Sequence, residues 1–418
     1  MQIIQVNGGA PLRGEVVIHG AKNAVLPILA ATVVHRGQYI LHNCPDLWDV
    51  QNALEILRYL GCRVRRQDHT ITVDSGGLCR CDIPDRLMQT MRSSILFLGA
   101  LSASCTEAKL SMPGGCRLGS RPIDLHLEAL RAMGARICME DTCLRCAAPR
   151  LHGATVTLTY PSVGATENIL LAATRACGTV TVYNAAKEPE IEDLAGFLNA
   201  MGARISGAGT AVIQIEGNQP LHGASYTVMP DRIEAASFLC AAAACGGEIT
   251  LRKIVLPHLY AVVELLMSAG AVISTGPGIL RIRAGRLRAP KPICTAPYPG
   301  FPTDAQPLMM AALLRAEGIT LMEEKIFENR LRHASAMTAM GADIQIANRI
   351  ARIRGVSRLH GAQVEAADLR GAAGLVLAAM SAEGQSHIQG VEYLLRGYER
   401  FDEHLRCLGG AVYVRTLP

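Results

Sequence analysis

Six glycines at nearly even spacing constrain this chain more than any other feature. Gly61, Gly134, Gly202, Gly270, Gly341 and Gly409 follow one another at intervals of 73, 68, 68, 71 and 68 residues. Each closes a helix-like stretch and precedes a strand-like run. Self-similarity at a fixed period marks a chain assembled from repeated supersecondary units. The helix before each glycine is amphipathic, as in Asp124–Met133 before Gly134 and Glu190–Met201 before Gly202. Pro45, Pro122, Pro189 and Pro257 stand where a first helical turn accepts proline, and the glycine marks the C-terminal stop. Beyond the glycine, apolar and polar residues alternate as in a half-buried strand, in Arg204-Ile205-Ser206 and Val212-Ile213-Gln214-Ile215.

Each unit carries a second helical pattern that is apolar nearly all round and rich in alanine. These stretches are Ile28–Val34, Ile95–Ala103, Asn168–Ala176, Ala235–Ala244, Leu308–Ala316 and Leu375–Ala382. A helix without a polar face must be buried on all sides. Leu-X-Gly triplets at Leu12, Leu151, Leu221 and Leu359 introduce the strands that come before four of them. The pattern predicts an inside-out α/β fold: six repeats, three to each of two lobes, with sheets outside and Ala-rich helices inside. A solenoid is the competing architecture. It would show atypical polar caps at its ends, and here the first and last units resemble the middle ones.

Half of the 418 residues are apolar, enough for a large core. The net charge of +5 is scattered and only 4% of residues are aromatic, which excludes a nucleic-acid footprint. The opening MQIIQVNGG has no signal-peptide character. The longest apolar stretches, Ala235–Cys245 and Gly371–Ala382, fall short of the ~20 residues that span a bilayer. A cytoplasmic protein without a membrane span is therefore expected. The fourteen cysteines, among them Cys177, Cys240 and Cys245, read as small buried hydrophobes rather than a disulfide framework. The Cys79/Cys81 and Cys143/Cys146 pairs have incomplete zinc spacing, so no metal site is expected.

The irregular residues fall just before the buried helices. They include Gly20-Ala21-Lys22-Asn23, Thr90-Met91-Arg92-Ser93, Pro161-Ser162-Val163-Gly164, Pro230-Asp231-Arg232, Pro302-Thr303-Asp304 and Asp368-Leu369-Arg370. Ser162, Asp231, Thr303 and Asp304 can be read simply as helix N-caps. Lys22, Arg92 and Arg370 cannot, because a cation at a helix N-terminus is electrostatically misplaced unless an anion lies against it. Equivalent points of pseudo-symmetric units can converge, which predicts an anion-binding cleft between the lobes.

A second irregularity is the longest loop, Leu110–Pro122, where Gly114, Gly115 and Gly119 surround Cys116, Arg117 and Arg121. Neighbouring cations stabilise a thiolate, so Cys116 is a candidate proton donor or nucleophile; the plain alternative is an incidental loop thiol. Arg396, in Arg396-Gly397-Tyr398-Glu399-Arg400, is a further candidate or an ordinary surface arginine.

Read together, these segments resemble the UDP-N-acetylglucosamine 1-carboxyvinyltransferases of the enolpyruvyl transferase family. The resemblance runs through Gly20–Ala24, Met91–Ser94, Pro113–Leu125, Ser162–Thr166, Phe301–Asp304, Phe327–Arg330, Asp368–Arg370 and Arg396–Arg400, over essentially the whole chain. It implies a two-lobed inverse α/β barrel fold. One lobe, catalytic and discontinuous, would be residues 1–21 and 230–418, and the other, residues 22–229, would carry a mobile Cys116 loop that closes over the substrates. It also implies transfer of an enolpyruvyl group from phosphoenolpyruvate to the 3′-hydroxyl of UDP-N-acetylglucosamine, with release of phosphate. In the family that reaction is the first committed step of bacterial peptidoglycan synthesis. No cofactor is implied, and a monomer suffices.

By the same resemblance, Lys22, Arg121 and Arg396 grip phosphoenolpyruvate, with Asn23 beside it and Arg330 and Arg370 nearby. Arginine suits a phosphate and a carboxylate because its fork binds two oxygens at once. Cys116 matches the acid that protonates C3, and in the family its thiol also attacks C2. Asp304 matches the base that takes the hydroxyl proton. Arg92, Arg121, Pro122, Ile123, Asp124, Leu125, Asp304 and Ile326 match the nucleotide-sugar contacts, and Ser162, Val163 and Gly164 lie at the uridine diphosphate. Tyr160-Pro161 stands where some members place a lysine, which puts one diphosphate contact in doubt. A transferase acting on shikimate 3-phosphate is the nearest rival, but that relative lacks the cysteine loop. A silent regulatory relative is a further one, disfavoured by intact Lys22, Cys116 and Asp304.

Overall fold

The computed structural model describes residues 2–114, 118–119, 122–140 and 143–416. The chain forms two compact units. One comprises Met1–His19, Arg117–Ser120 and Pro230–Pro418, the other Gly20–Cys116 and Arg121–Met229. Each unit carries three four-stranded sheets built to one plan. His152–Thr157 runs parallel to Cys177–Tyr183, which pairs antiparallel with Val212–Glu216, which pairs antiparallel with Arg204–Ser206. One parallel pairing followed by two antiparallel pairings recurs in all six sheets.

Both units are closed by strands from opposite ends of their sequence. In the first, Gln2–Asn7 lies between Gln385–Gln389 and Ala411–Thr416, and Leu12–Val17 runs parallel to Gly247–Arg252. In the second, Ser225–Thr227 pairs in parallel with Gln38–His42.

The six expected inner helices are present: Lys22–Ala31, Leu96–Ser104 and Val163–Ala173 in one unit, and Arg232–Cys245, Gln306–Leu313 and Leu369–Ser381 in the other. All residues of Lys22–Ala31 except Asn23 are buried. Leu96–Ser104 packs on Val163–Ala173, and Gln306–Leu313 packs on both Arg232–Cys245 and Leu369–Ser381. Helices of this kind are stable only inside such a core, since alanine leaves no solvent-seeking face. Most begin earlier than their apolar stretches suggested. Lys22 and Arg370 lie in the first turns of their helices, whereas Arg92 and Asp304 lie in short separate turns that lead into theirs.

Each of the six repeating glycines follows an outer helix and has φ between +91° and +106°. Side-chain-bearing residues avoid that region, whereas glycine enters it freely and lets the chain reverse into the next strand. Two expectations need correction. Pro189 opens the helix Pro189–Ala200, but Pro45 and Pro122 stand ahead of Trp48–Tyr59 and Asp124–Ala132 rather than in their first turns. The cysteines are not uniformly buried thiols either. Cys81 is disulfide-bonded to Cys105, and Cys79, Cys138 and Cys407 are exposed. The bond ties the approach to one short strand, Asp82–Ile83, to the end of helix Leu96–Ser104.

One buried polar group is built into the inner helices. Asn168, fully inaccessible, accepts from the Gly99 N–H at 2.7 Å and donates to the Ile95 carbonyl at 3.1 Å. Residues four apart are the pair that an uninterrupted helix joins directly. Asn168 therefore bridges a step of the neighbouring helix. Gly99 permits the approach, since a β-carbon there would meet Asn168 Oδ1 at 2.5 Å. The amide also donates to His126 Nδ1 at 2.6 Å.

Candidate active site

The unit containing Pro230–Pro418 gathers two of the sequence candidates, Arg330 and Arg370, around the carboxylate of a third, Asp304. Asp304 sits in the single turn Thr303–Ala305 that leads into helix Gln306–Leu313. Arg330 opens the turn Arg330–His333, and Arg370 is the second residue of helix Leu369–Ser381. Arg330 Nη2 donates to Asp304 Oδ1 at 2.6 Å, while Arg370 Nε and Nη2 donate to Oδ2 at 3.2 and 3.1 Å. Both oxygens of Asp304 are thus held by guanidinium groups. The Asp304 side chain is 26% exposed against 2% for Arg330 and 4% for Arg370, so the carboxylate is the member of the cluster that reaches solvent.

Asp304 is accordingly not the N-cap it could have been. No side chain caps that turn. The N-cap reading holds for Ser162 and Asp231, which accept from Ala165 and from Ile233 and Glu234. Asp368 caps its helix by accepting from the Arg370 and Gly371 N–H groups, and the same oxygen takes Arg330 Nη1 at 3.2 Å.

Burial and local charge set the character of this cluster. Burial alone would weaken the charged form of Arg370, but Tyr398 and the Asp304 and Asp231 carboxylates outweigh it and raise its pKa. Tyr398 lies under the guanidinium at 5.3 Å. One nitrogen of Arg370, Nη1, is buried without a hydrogen-bond partner. His333, equally buried, donates from Nδ1 to the Arg330 carbonyl at 2.9 Å. Its desolvation pushes its pKa down to about 4, so it is neutral. Arg396 follows helix Val391–Leu395 and is half-buried. The next residue, Gly397, packs so closely on Leu369 that a β-carbon would meet Leu369 Cδ1 at 2.5 Å. That contact sets the Arg396 segment beside the start of the Arg370 helix.

Ile326 lies in this unit too, its N–H donating to Glu324 Oε1 at 2.8 Å, and the other candidates among the described residues lie in the second unit. Lys22 is the first residue of its helix, and its Nζ meets Asp49 Oδ2 at 2.8 Å with both side chains buried. A bound anion is therefore not required to balance Lys22. Asp49 does so, and it passes in the sequence for an ordinary acid in the first turn of Trp48–Tyr59. Asn23 is exposed, and Arg92 opens the half-buried turn Arg92–Ile95. Pro122, Ile123, Asp124 and Leu125 lead into or open helix Asp124–Ala132, whose His126 packs against Gly164. A β-carbon on Gly164 would meet the His126 ring at 3.1 Å. Ser162, Val163 and Gly164 are thereby placed next to that helix.

Cys116, Arg117 and Arg121 lie outside the described residues. Leu118 and Gly119, in the same loop, group with the unit containing Asp304, and the Asn329 N–H donates to the Leu118 carbonyl at 3.0 Å. Two further groups stand beside this cluster: Thr303, which the sequence offered only as an N-cap, and Glu324, which it did not single out. Thr303 Oγ1 accepts from Arg330 Nε at 3.2 Å and donates to Glu324 Oε2 at 3.0 Å. Only the doubled acid Glu323-Glu324 hinted at the second. Among the described residues, no helix is long and apolar enough to cross a membrane.

Residues 6–405 match the family model described as EPSP synthase (3-phosphoshikimate 1-carboxyvinyltransferase). The chain is 48% identical to UDP-N-acetylglucosamine 1-carboxyvinyltransferase 2 of Caldanaerobacter subterraneus subsp. tengcongensis, over 98% of each. It is 43% identical to UDP-N-acetylglucosamine 1-carboxyvinyltransferase 1 of Carboxydothermus hydrogenoformans, over 99% of this chain and 98% of the relative. Among solved structures it resembles the enolpyruvyl transferase NikO from Streptomyces tendae, with a TM-score of 0.89, 26% identity and coverage of 100% and 99%. EPSP synthase from Acinetobacter baumannii shares the fold, with a TM-score of 0.74 at 20% identity and full coverage of both chains.

Proposed function

The chain belongs to the EPSP synthase family, among its UDP-N-acetylglucosamine 1-carboxyvinyltransferases, and from that premise we propose that it transfers the enolpyruvyl group of phosphoenolpyruvate to the 3′-hydroxyl of UDP-N-acetylglucosamine. The observation that carries the chemistry is the Asp304 cluster, a solvent-reaching carboxylate oriented by two buried arginines. In this reading Asp304 takes the proton of the 3′-hydroxyl as the hydroxyl oxygen bonds to C2 of phosphoenolpyruvate, an enol phosphate. Cys116 delivers a proton to C3, giving a tetrahedral adduct. Loss of phosphate from C2 and of a proton from C3 then regenerates the double bond on the new ether.

Both oxygens of Asp304 are held by guanidinium groups, and in this reading one of those groups turns away as the proton is taken. Arg370, with a buried nitrogen already lacking a partner, is suited to turn toward the doubly negative phosphoenolpyruvate. Lys22, Arg121 and Arg396 grip that substrate, with Asn23 alongside. Arg92, Pro122, Ile123, Asp124, Leu125, Ser162, Val163, Gly164 and Ile326 hold the nucleotide sugar. In this reading 1–21 and 230–418 form the catalytic lobe and 22–229 the lobe bearing the Cys116 loop. The enzyme works in the cytoplasm as a monomer.

The test is phosphate release on mixing the protein with phosphoenolpyruvate and UDP-N-acetylglucosamine. Release with shikimate 3-phosphate instead, or with neither acceptor, overturns the proposal. Cys116→Ala abolishes turnover if the thiol is the acid, and undiminished turnover removes it from that role.

A further inference from the structure

Glu324 is 1% exposed, yet its carboxylate is fully employed. Oε1 accepts the N–H groups of Ile326 and Phe327 at 2.8 and 2.9 Å. Oε2 accepts the Thr303 hydroxyl at 3.0 Å. The direction of that bond is fixed by its neighbour. Arg330 Nε can only donate, and it does so to Thr303 Oγ1 at 3.2 Å, so the single hydroxyl hydrogen of Thr303 points to Glu324. Arg330 in turn holds Asp304 Oδ1 at 2.6 Å. An unbroken series of hydrogen bonds therefore joins the Ile326 backbone to Asp304: Ile326 N–H and the Thr303 hydroxyl both donate to Glu324, and Arg330 donates both to Thr303 and to Asp304.

The segment at each end of this series has its own assignment in the function proposed above. Ile326 is a nucleotide-sugar contact, and Asp304 is the base for the sugar hydroxyl. A base acts efficiently only when the proton it removes is held within hydrogen-bond reach, and small displacements cost large factors in rate. Charge-assisted bonds to a buried carboxylate are strong and short enough to transmit position. A hydroxyl between Glu324 and Arg330 also keeps the opposite charges from collapsing into a direct pair that would pull Arg330 off Asp304.

We propose that Glu324 and Thr303 are positioning residues that hold the base Asp304 in register with the acceptor-binding turn at Ile326. The inference rests on the enolpyruvyl-transfer reading, and its test separates the two. Initial rates of phosphate release are measured for the wild type, Thr303→Ser, Thr303→Val and Glu324→Gln, varying each substrate in turn, with circular dichroism melts for each variant.

Thr303→Ser keeps the hydroxyl and is expected to stay close to wild type. Thr303→Val orphans both Arg330 Nε and Glu324 Oε2, and is expected to lower kcat about tenfold or more. Its KM for UDP-N-acetylglucosamine should rise while that for phosphoenolpyruvate holds within about twofold. Glu324→Gln should show the same split, because an amide cannot accept at both ends. If Glu324→Gln does not fold, the threonine pair decides alone. A folded Thr303→Val with wild-type kcat and KM, or a Thr303→Ser as impaired as Thr303→Val, overturns the positioning role and leaves the reaction intact. A wild type that releases no phosphate overturns the reaction itself.

Discussion

Replacing Asn168 with leucine isolates what one inserted amide contributes to the core. Leucine shares the branching of asparagine and leaves no cavity, although its methyl groups need more room than amide atoms held at 2.6 and 2.7 Å from their partners. It removes the acceptor for the Gly99 N–H and the donors to the Ile95 carbonyl and His126 Nδ1. All of these groups are buried or nearly so. Orphaning a buried polar group costs about 1–3 kcal/mol. Some of that loss is recoverable, because Gly99 and Ile95 are four residues apart and can close a direct helical bond. Allowing for one such repair, the net cost is about 2–4 kcal/mol, most of it at His126 and in imperfect closure. For a unit of this size that lowers the melting temperature by roughly 4–15 °C. The assay is thermal and urea unfolding by circular dichroism, together with hydrogen exchange at the Gly99 amide. Asn168→Asp supplies a sign test. Its carboxylate keeps the acceptor for Gly99 but presents a lone pair to the Ile95 carbonyl, and acid should partly rescue it by restoring a donor. A leucine variant within about 0.5 kcal/mol of wild type, with Gly99 protection unchanged, refutes the claim that the amide holds this helix junction.

Three other outcomes follow from the same geometry. Gly270→Ala meets no atom within 4 Å and should cost only the conformational penalty of φ +106°, about 1 kcal/mol. Gly134→Ala, at φ +96° with the His152 ring 2.7 Å from the new methyl, should cost measurably more by urea denaturation; equal losses would show that the ring yields freely. His333 is neutral in the folded chain with a pKa near 4, and the unfolded chain protonates it near the ordinary 6.5. The unfolded state therefore binds more protons between those values. The stabilisation is complete above pH 6.5 and is lost as pH falls toward 4, by up to about 3 kcal/mol. His333→Gln should flatten the stability profile in that window, and an unchanged slope would remove His333 as its source. Finally, Asp49→Asn breaks the buried ion pair with Lys22, so the variant should lose about 3 kcal/mol or more of stability at neutral pH by urea denaturation, and a loss under about 1 kcal/mol would show that the pair matters little to the fold.

The repeat was legible because glycine is the one residue that enters a left-handed bend without strain, so all six bends had to spell themselves out. The inner helices were legible for a related reason: an apolar, Ala-rich stretch with no polar face has nowhere to go but inside. Their starts were less so, and the carboxylates beside the misplaced cations were not legible at all: Asp49 pairs with Lys22 and Asp304 with Arg370 across the fold. Asp304, Arg330 and Arg370 could be named from local motifs, but their mutual contact joins positions 26 and 66 residues away from Asp304. Glu324 was invisible for the same reason. Its neighbours in sequence are an exposed lysine and another acid, and only the fold brings Thr303 to its second oxygen.

The pairing of Gln2–Asn7 and Leu12–Val17 with strands from beyond residue 246 has a consequence for the nascent protein. These two strands leave the ribosome well before the strands they pair with. Gly20–Met229 can complete its own three sheets while the leading two strands still dangle, awaiting Gly247–Arg252 and then Gln385–Gln389 and Ala411–Thr416. Alternating apolar segments left waiting through that interval are open to mispairing with other chains. A truncation that ends before residue 385 should therefore yield one sound unit trailing a sticky, incomplete one.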